Sequence, residues 1–242
     1  MGKFSKWTLT RHSIPAISAI RKISLWSAIM ATSGEMVIGV ADMFAANPST
    51  VESIDRALSD AGLRRKSGRG RSAAQMAGMD VINLSLAMIL GASMKDAAEK
   101  VAQVSRMPLQ KATVQWRPDL EMPLSSLAEQ VEQYQEHPAQ QADLHMFPAG
   151  AALVKAQSMG EGLAALIDAM AADEFRDLTD MALNLQMSSI GPSALLAYAT
   201  RQGVLRMHYE TIGTEAERPV FERRLKFDET LLRRLAEVIR PH

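Results

Sequence analysis

The segment Met79-Asp80-Val81-Ile82-Asn83-Leu84-Ser85-Leu86-Ala87-Met88-Ile89-Leu90 constrains this chain more than any other. Wound at 3.6 residues per turn, it carries apolar side chains nearly all round, so as a helix it has no face suited to water. It is also too short to cross a bilayer, which takes about 20 apolar residues. The segment therefore reads as a buried central helix with other elements packed around it. Gly91 marks its end.

The flanking sequence supplies two partners for that helix. Asn47-Pro48-Ser49 announces a helix over about 50–61, with Ser49 and Glu52 at capping-box spacing. Val51, Ile54, Leu58 and Ala61 form its apolar stripe, and Gly62 suits the position just past its end. After Gly91, Ser93 and Asp96 repeat the capping spacing. Ala97, Val101 and Val104 follow as an inner face, and Pro108 sets the limit. Residues 47–108 thus read as a three-helix unit.

Between the first two of these helices lies Arg64-Arg65-Lys66-Ser67-Gly68-Arg69-Gly70-Arg71, five cations and two glycines in a chain of zero formal net charge. Cations neutralise phosphates and release counterions, and glycines let a backbone approach closely. Arg64, Arg65, Lys66, Arg69 and Arg71 are therefore the candidate nucleic-acid-binding residues, with Arg69 and Arg71 chosen for groove entry. Three to five phosphate contacts would give a log–log salt slope of roughly −3 to −4.5. The more ordinary reading is a solvated loop, or one docked on acidic protein surface. The gap between the two helices exceeds the three or four residues of a helix-turn-helix connection.

The zero net charge conceals a division along the chain. Residues 1–118 hold sixteen Lys/Arg against eight Asp/Glu, residues 119–180 two against twelve, and residues 181–242 nine against seven. The acidic block can shield the basic loop or face a different partner. Residues 1–46 read as a basic, flexible extension. Residues 1–29 contain Lys3, Lys6, Arg11, Arg21 and Lys22 and no acid, in the manner of a targeting or basic amphipathic segment but without a secretory apolar core.

Residues 109–242 form the remaining unit. Residues 109–123 read as a connector with a short strand at 113–116, followed by a helix opened by Ser126 and Glu129, a Pro-bounded loop over 137–149 and a helix over about 161–172. The period then falls to two: Leu183, Leu185 and Met187 alternate with Asn184, Gln186 and Ser188. Turn signals at 190–193, 202–203 and 213–219 separate further strands at 194–200, 204–211 and 220–226, which predicts an antiparallel meander. A helix over about 229–240 closes the chain. The expected fold class is α+β: a mainly helical N-terminal half with a three-helix basic unit, then a small antiparallel β-meander and a closing helix.

No enzyme constellation emerges. The chain has no Cys, which removes disulfides, thiolate zinc sites and thiol catalysis. Gly68-x-Gly70 lacks the preceding strand and the Lys-Ser/Thr ending of a phosphate-binding loop. Asp173, Asp177 and Asp180 would share one face of a helix, as a solvated acidic face rather than an ion site. His137, Asp143 and His145 lack helix-registered metal spacing. His208 is expected on a sheet surface. No metal, cofactor or catalytic residue is expected.

The run Ile54-x3-Leu58-x2-Ala61-Gly62-Leu63, then Gly68-Arg69-Gly70 and Ala73, then Met76 and Asp80-x2-Asn83-Leu84 carries a resemblance over residues 50–107. It resembles small bacterial and prophage-borne proteins, largely uncharacterised, in which an "AGL" helix end, a "GRG" loop and an apolar "D-x-x-N-L" helix recur. Some of these look like DNA-binding regulators. The resemblance implies a phage or mobile-element context and DNA as partner. The residues and the resemblance together lead to an expected non-enzymatic DNA-binding protein, a transcriptional regulator in the cytoplasm. The alternative is an adaptor or phage-assembly component that offers a sheet edge to a protein partner or a second copy. No membrane span is expected.

Overall fold

The computed structural model describes residues 31–66, 75–116, 136–175, 178–188, 191–211 and 222–240. Four helices open it: α1 (Ser33–Met43), α2 (Pro48–Asp60), α3 (Gly78–Ile89) and α4 (Ala97–Ser105). Strand β1 (Leu109–Trp116) and the two-residue β2 (His137–Pro138) precede the short helices α5 (Gln141–His145) and α6 (Gly150–Leu153) and the longer α7 (Met159–Ala171). Strands β3 (Leu178–Ser188), β4 (Pro192–Thr200), β5 (Gly203–Glu210) and β6 (Glu222–Asp228) lead into α8 (Glu229–Ile239). The fold is α+β, with a six-stranded antiparallel sheet.

Helix α1 falls inside the stretch expected to be a flexible extension. Thr32 and Glu35 form a complete capping box at its start, and Met36, Val37, Val40 and Ala41 are buried. The cap and the apolar stripe together favour the helix. The central helix is as anticipated: Val81, Ile82, Leu84, Leu86 and Ala87 are all at most 2% exposed. It lies against α7, and the two approach closely at Gly78, where a Cβ would meet the Ala164 carbonyl oxygen.

Strands β3, β4 and β5 form the expected meander. Strand β6 does not continue it but returns beside β3, giving the order β2-β1-β5-β4-β3-β6. The connector from Glu210 to Glu222 is long enough for this crossing, which spans three strand spacings, about 14 Å. Pairing with β3 also puts Leu225 beside Leu185 and Phe227 beside Leu183 on the inner face. Strand β1 is longer than expected and occupies the other side of β5. The Pro-bounded stretch over 137–149 contains β2 and α5, and α6 follows it.

The inner face of the sheet carries Leu183, Leu185, Leu196, Tyr198, Leu205, Met207 and Tyr209, all buried against the helical layer. One continuous core runs from Met36 in α1 to Ile239 in α8, so side chains from all three sequence segments meet in it. The helix expected over about 126–135 lies outside the described residues. No helix among the described residues is long and apolar enough to cross a membrane.

Candidate nucleic-acid interface

The basic loop leaves α2 through a tight helix stop. Gly62 adopts φ 73°, open to glycine at no steric cost. The Leu63 N–H donates to the Leu58 carbonyl at 2.9 Å and the Gly62 N–H to Ser59 at 3.1 Å, which satisfies carbonyls the ended helix would otherwise leave open. The Asn83 side-chain amide then donates to the Leu63 carbonyl at 2.7 Å.

The next residue turns inward. The Arg64 Nε stands 2.5 Å from Asp55 Oδ1, and the two side chains are only 6% and 5% exposed. The guanidinium also donates to the Arg65 carbonyl at 2.7 Å. Ser33 donates to the second Asp55 oxygen at 3.3 Å, bringing α1 into the cluster. Burial pushes the Asp55 carboxyl above its usual range, against the opposing pull of the Arg64 charge. Arg64 is therefore removed from the candidate phosphate contacts. A buried guanidinium cannot leave its carboxylate without stranding a charge in the interior.

Arg65 and Lys66 are exposed. Arg65 is held by its backbone: its N–H donates to Asp80 Oδ1 at 2.8 Å. The other Asp80 oxygen accepts from the Ala77 N–H at 2.9 Å. One carboxylate, 1% exposed, thus ties together the two ends of the loop. The Arg65 guanidinium stands 3.6 Å from the same carboxylate and donates to the Gln75 carbonyl at 3.4 Å. Next to Gln75, the Met76 N–H donates to the Ala31 carbonyl at 3.1 Å, so the chain entering α1 is tied to the returning loop. Arg69 and Arg71, the residues expected to enter a groove, lie outside the described residues.

A second carboxylate reaches the loop base from the acidic block. Asp168 Oδ1 accepts from the Gly78 N–H at 2.7 Å. The residue is exposed overall, but this oxygen turns into the α3–α7 junction. Its pKa is raised by desolvation first; the Gly78 hydrogen bond and the Arg65 charge act in the opposite direction, while Asp80 adds to the rise.

The sequence marked the cations and missed what holds them. Asp80 and Asn83 were visible only as part of a recurring pattern. Their signal was an acid and an amide one turn apart in a helix that is otherwise apolar but for Ser85. Asp55 gave no signal, since Arg64 reads from the sequence as a phosphate contact.

The other candidates separate. Asp173 sits in a turn with φ 63° and Asp180 in strand β3, so they do not share a helix face; Asp177 lies outside the described residues. His137 Nε2 is 4.0 Å from Asp143. No cluster of three or more metal-ligating side chains occurs among the described residues. Comparison with protein-family models, with curated proteins and with solved structures found no match.

Proposed function

We propose that the protein is a non-enzymatic DNA-binding protein, a cytoplasmic regulator of phage or mobile-element origin that contacts DNA through the basic loop. The observation that carries this reading is the closed loop base. Asp80 joins Arg65 to Ala77 from inside the helical layer, so the base of the loop is a fixed stem. Fixing the stem lowers the ordering entropy that phosphate binding would otherwise cost. With Arg64 committed to Asp55, the phosphate-contacting set becomes Arg65, Lys66, Arg69 and Arg71.

Binding of labelled duplex DNA at two salt concentrations tests the reading. Four phosphate contacts correspond to a log–log slope of about −3.6. Replacing the four cations with Gln should abolish most of the binding and flatten the slope. Binding that ignores salt, or that survives the fourfold replacement, disproves the reading.

The adaptor reading has one observation in its favour: β6 stands at the end of the sheet and pairs with β3 alone among the described strands. Its sequence, Glu-Arg-Arg-Leu-Lys-Phe-Asp, places charge at five of seven positions. Charged edges discourage strand addition, and this favours the DNA reading.

A further inference from the structure

The face of the sheet turned away from the helices carries a second polar surface, formed by residues distant in sequence. Antiparallel register sets Lys111 beside His208, His208 beside Leu195, Leu195 beside Asn184, and Asn184 beside Lys226. This row crosses five strands without an acidic residue. The next row sets Glu210 beside Ser193, Ser193 beside Gln186, and Gln186 beside Arg224. Residues of both rows, Leu195 among them, line a trough of about 520 Å³. That volume falls within the range of about 300–1,000 Å³ typical of ligand pockets.

Hydrogen-bonding capacity in the trough is unused. Among the described residues, the side chains of Asn184, Gln186, Ser193 and Lys226 have no hydrogen-bond or ion-pair partner. Each sits at a paired strand position, so its base is fixed by the ladder. The trough is electrically polarised: Lys226 and Arg224 line the β6 side, and Glu210 stands on β5. Arg224 is ion-paired to Glu222 on its own strand, which leaves Lys226 as the unpaired cation of the trough among the described residues.

We propose that this trough binds a small organic oxyanion, a phosphate monoester or a carboxylate, whose scaffold also carries hydroxyl or amine groups. Lys226 and the Asn184 amide hold the anionic group. Gln186 and Ser193 bond to the scaffold, and Glu210 accepts from a hydroxyl or amine at its far end. Leu195 covers the apolar part of the scaffold. The flanking acids decide the ligand's size. Glu210 and Asp228 stand on the same face as the cations, and Asp228 is fixed as the cap of α8, accepting from the Thr230 N–H at 3.0 Å. A long polyanion crossing the face would meet these carboxylates, whereas a small anion fits between them. This site lies on the face opposite the helical layer and does not rest on the DNA reading.

Calorimetric titration of the full chain tests it. Glucose 6-phosphate and glutamate serve as probes for the two anion sources, with inorganic phosphate and glucose as controls. Saturable binding of one probe with a Kd of about 1 mM or tighter is expected. Lys226→Gln with Asn184→Leu should weaken it about tenfold or more, from the loss of charge-assisted hydrogen bonds. Both positions are exposed, and circular dichroism checks that the variant folds. Arg65→Gln with Lys66→Gln should leave probe binding unchanged even where it reduces DNA binding. No saturable binding of either probe, or binding indifferent to the Lys226/Asn184 variant, overturns the proposal. So does duplex DNA binding that is lost in the Lys226/Asn184 variant and kept in the loop variant.

Discussion

Arg64 and Asp55 meet at 2.5 Å within the helical layer, both side chains almost wholly shielded from water. A pair this deep is costly to break yet gains little by being kept, because desolvating two charges offsets most of their attraction. Asp55→Ala should therefore cost about 3–5 kcal/mol by leaving the guanidinium unpaired. The double change Asp55→Leu with Arg64→Met should recover most of that loss. Urea unfolding of the three proteins measures it; a double variant no more stable than Asp55→Ala would show that the pair is not an isolated unit.

Asp80 holds the loop base through two backbone donors. Asp80→Ala leaves the Arg65 and Ala77 N–H groups without that acceptor, at about 1–3 kcal/mol for each that stays buried. Tryptic cleavage after Arg65 and Lys66 should accelerate alongside a lower Tm. Asp80→Asn, which keeps one acceptor oxygen, should fall between. Cleavage at the parental rate in the Ala variant would mean that the carboxylate does not secure the loop.

Asp168 supplies a pH dependence with a definite sign. Burial raises its pKa in the folded protein, so the folded state holds the proton more tightly than the unfolded chain. Its contribution to stability is therefore complete below the ordinary aspartate range and is lost as pH rises through the shifted value. Asp168→Asn keeps an acceptor for the Gly78 N–H and removes the titration. Relative to the parent, the variant should gain stability between acid and neutral pH. Urea midpoints at both ends of that window measure it, and a constant difference between the two proteins would rule the mechanism out.

Tyr198 joins the sheet to the loop before α6. Its hydroxyl donates to the Pro148 carbonyl at 2.9 Å, and its ring meets Phe147 and Phe175 edge-on at 5.7 and 5.8 Å. Tyr198→Phe should cost about 0.5–1.5 kcal/mol, the net worth of the hydrogen bond alone. Tyr198→Ala should cost about 3–5 kcal/mol through the cavity as well. Near-equal losses in thermal unfolding would place the energy in the hydroxyl instead.

Most elements were legible because their signals are local. The Leu58 stripe and the Gly62 stop lie within one helix, and the alternation from Leu183 needs only neighbouring residues; the cap of that helix is not Ser49, as its spacing to Glu52 suggests, but Asn47, whose side chain accepts from the Ser49 N–H at 3.0 Å. The basic loop was legible in the same way, as an accumulation of charge. Which of its cations faces solvent was not, because Arg64 and Asp55 are separated by the end of a helix and a turn. Helix α1 was missed because the cations of residues 1–29 dominated the reading of everything before Asn47.

The sequence by itself determined the classes and order of the elements: helices around one largely apolar helix, then alternating strands and a closing helix. Caps, stripes and turns act over a few residues, so their energies are readable from a short window. Only the tertiary structure decided that β6 lies beside β3, that Asp80 closes the loop, and that Lys111, His208, Leu195, Asn184 and Lys226 share one row. Strand order and burial depend on which distant apolar faces meet, and that competition is settled by the packed core as a whole.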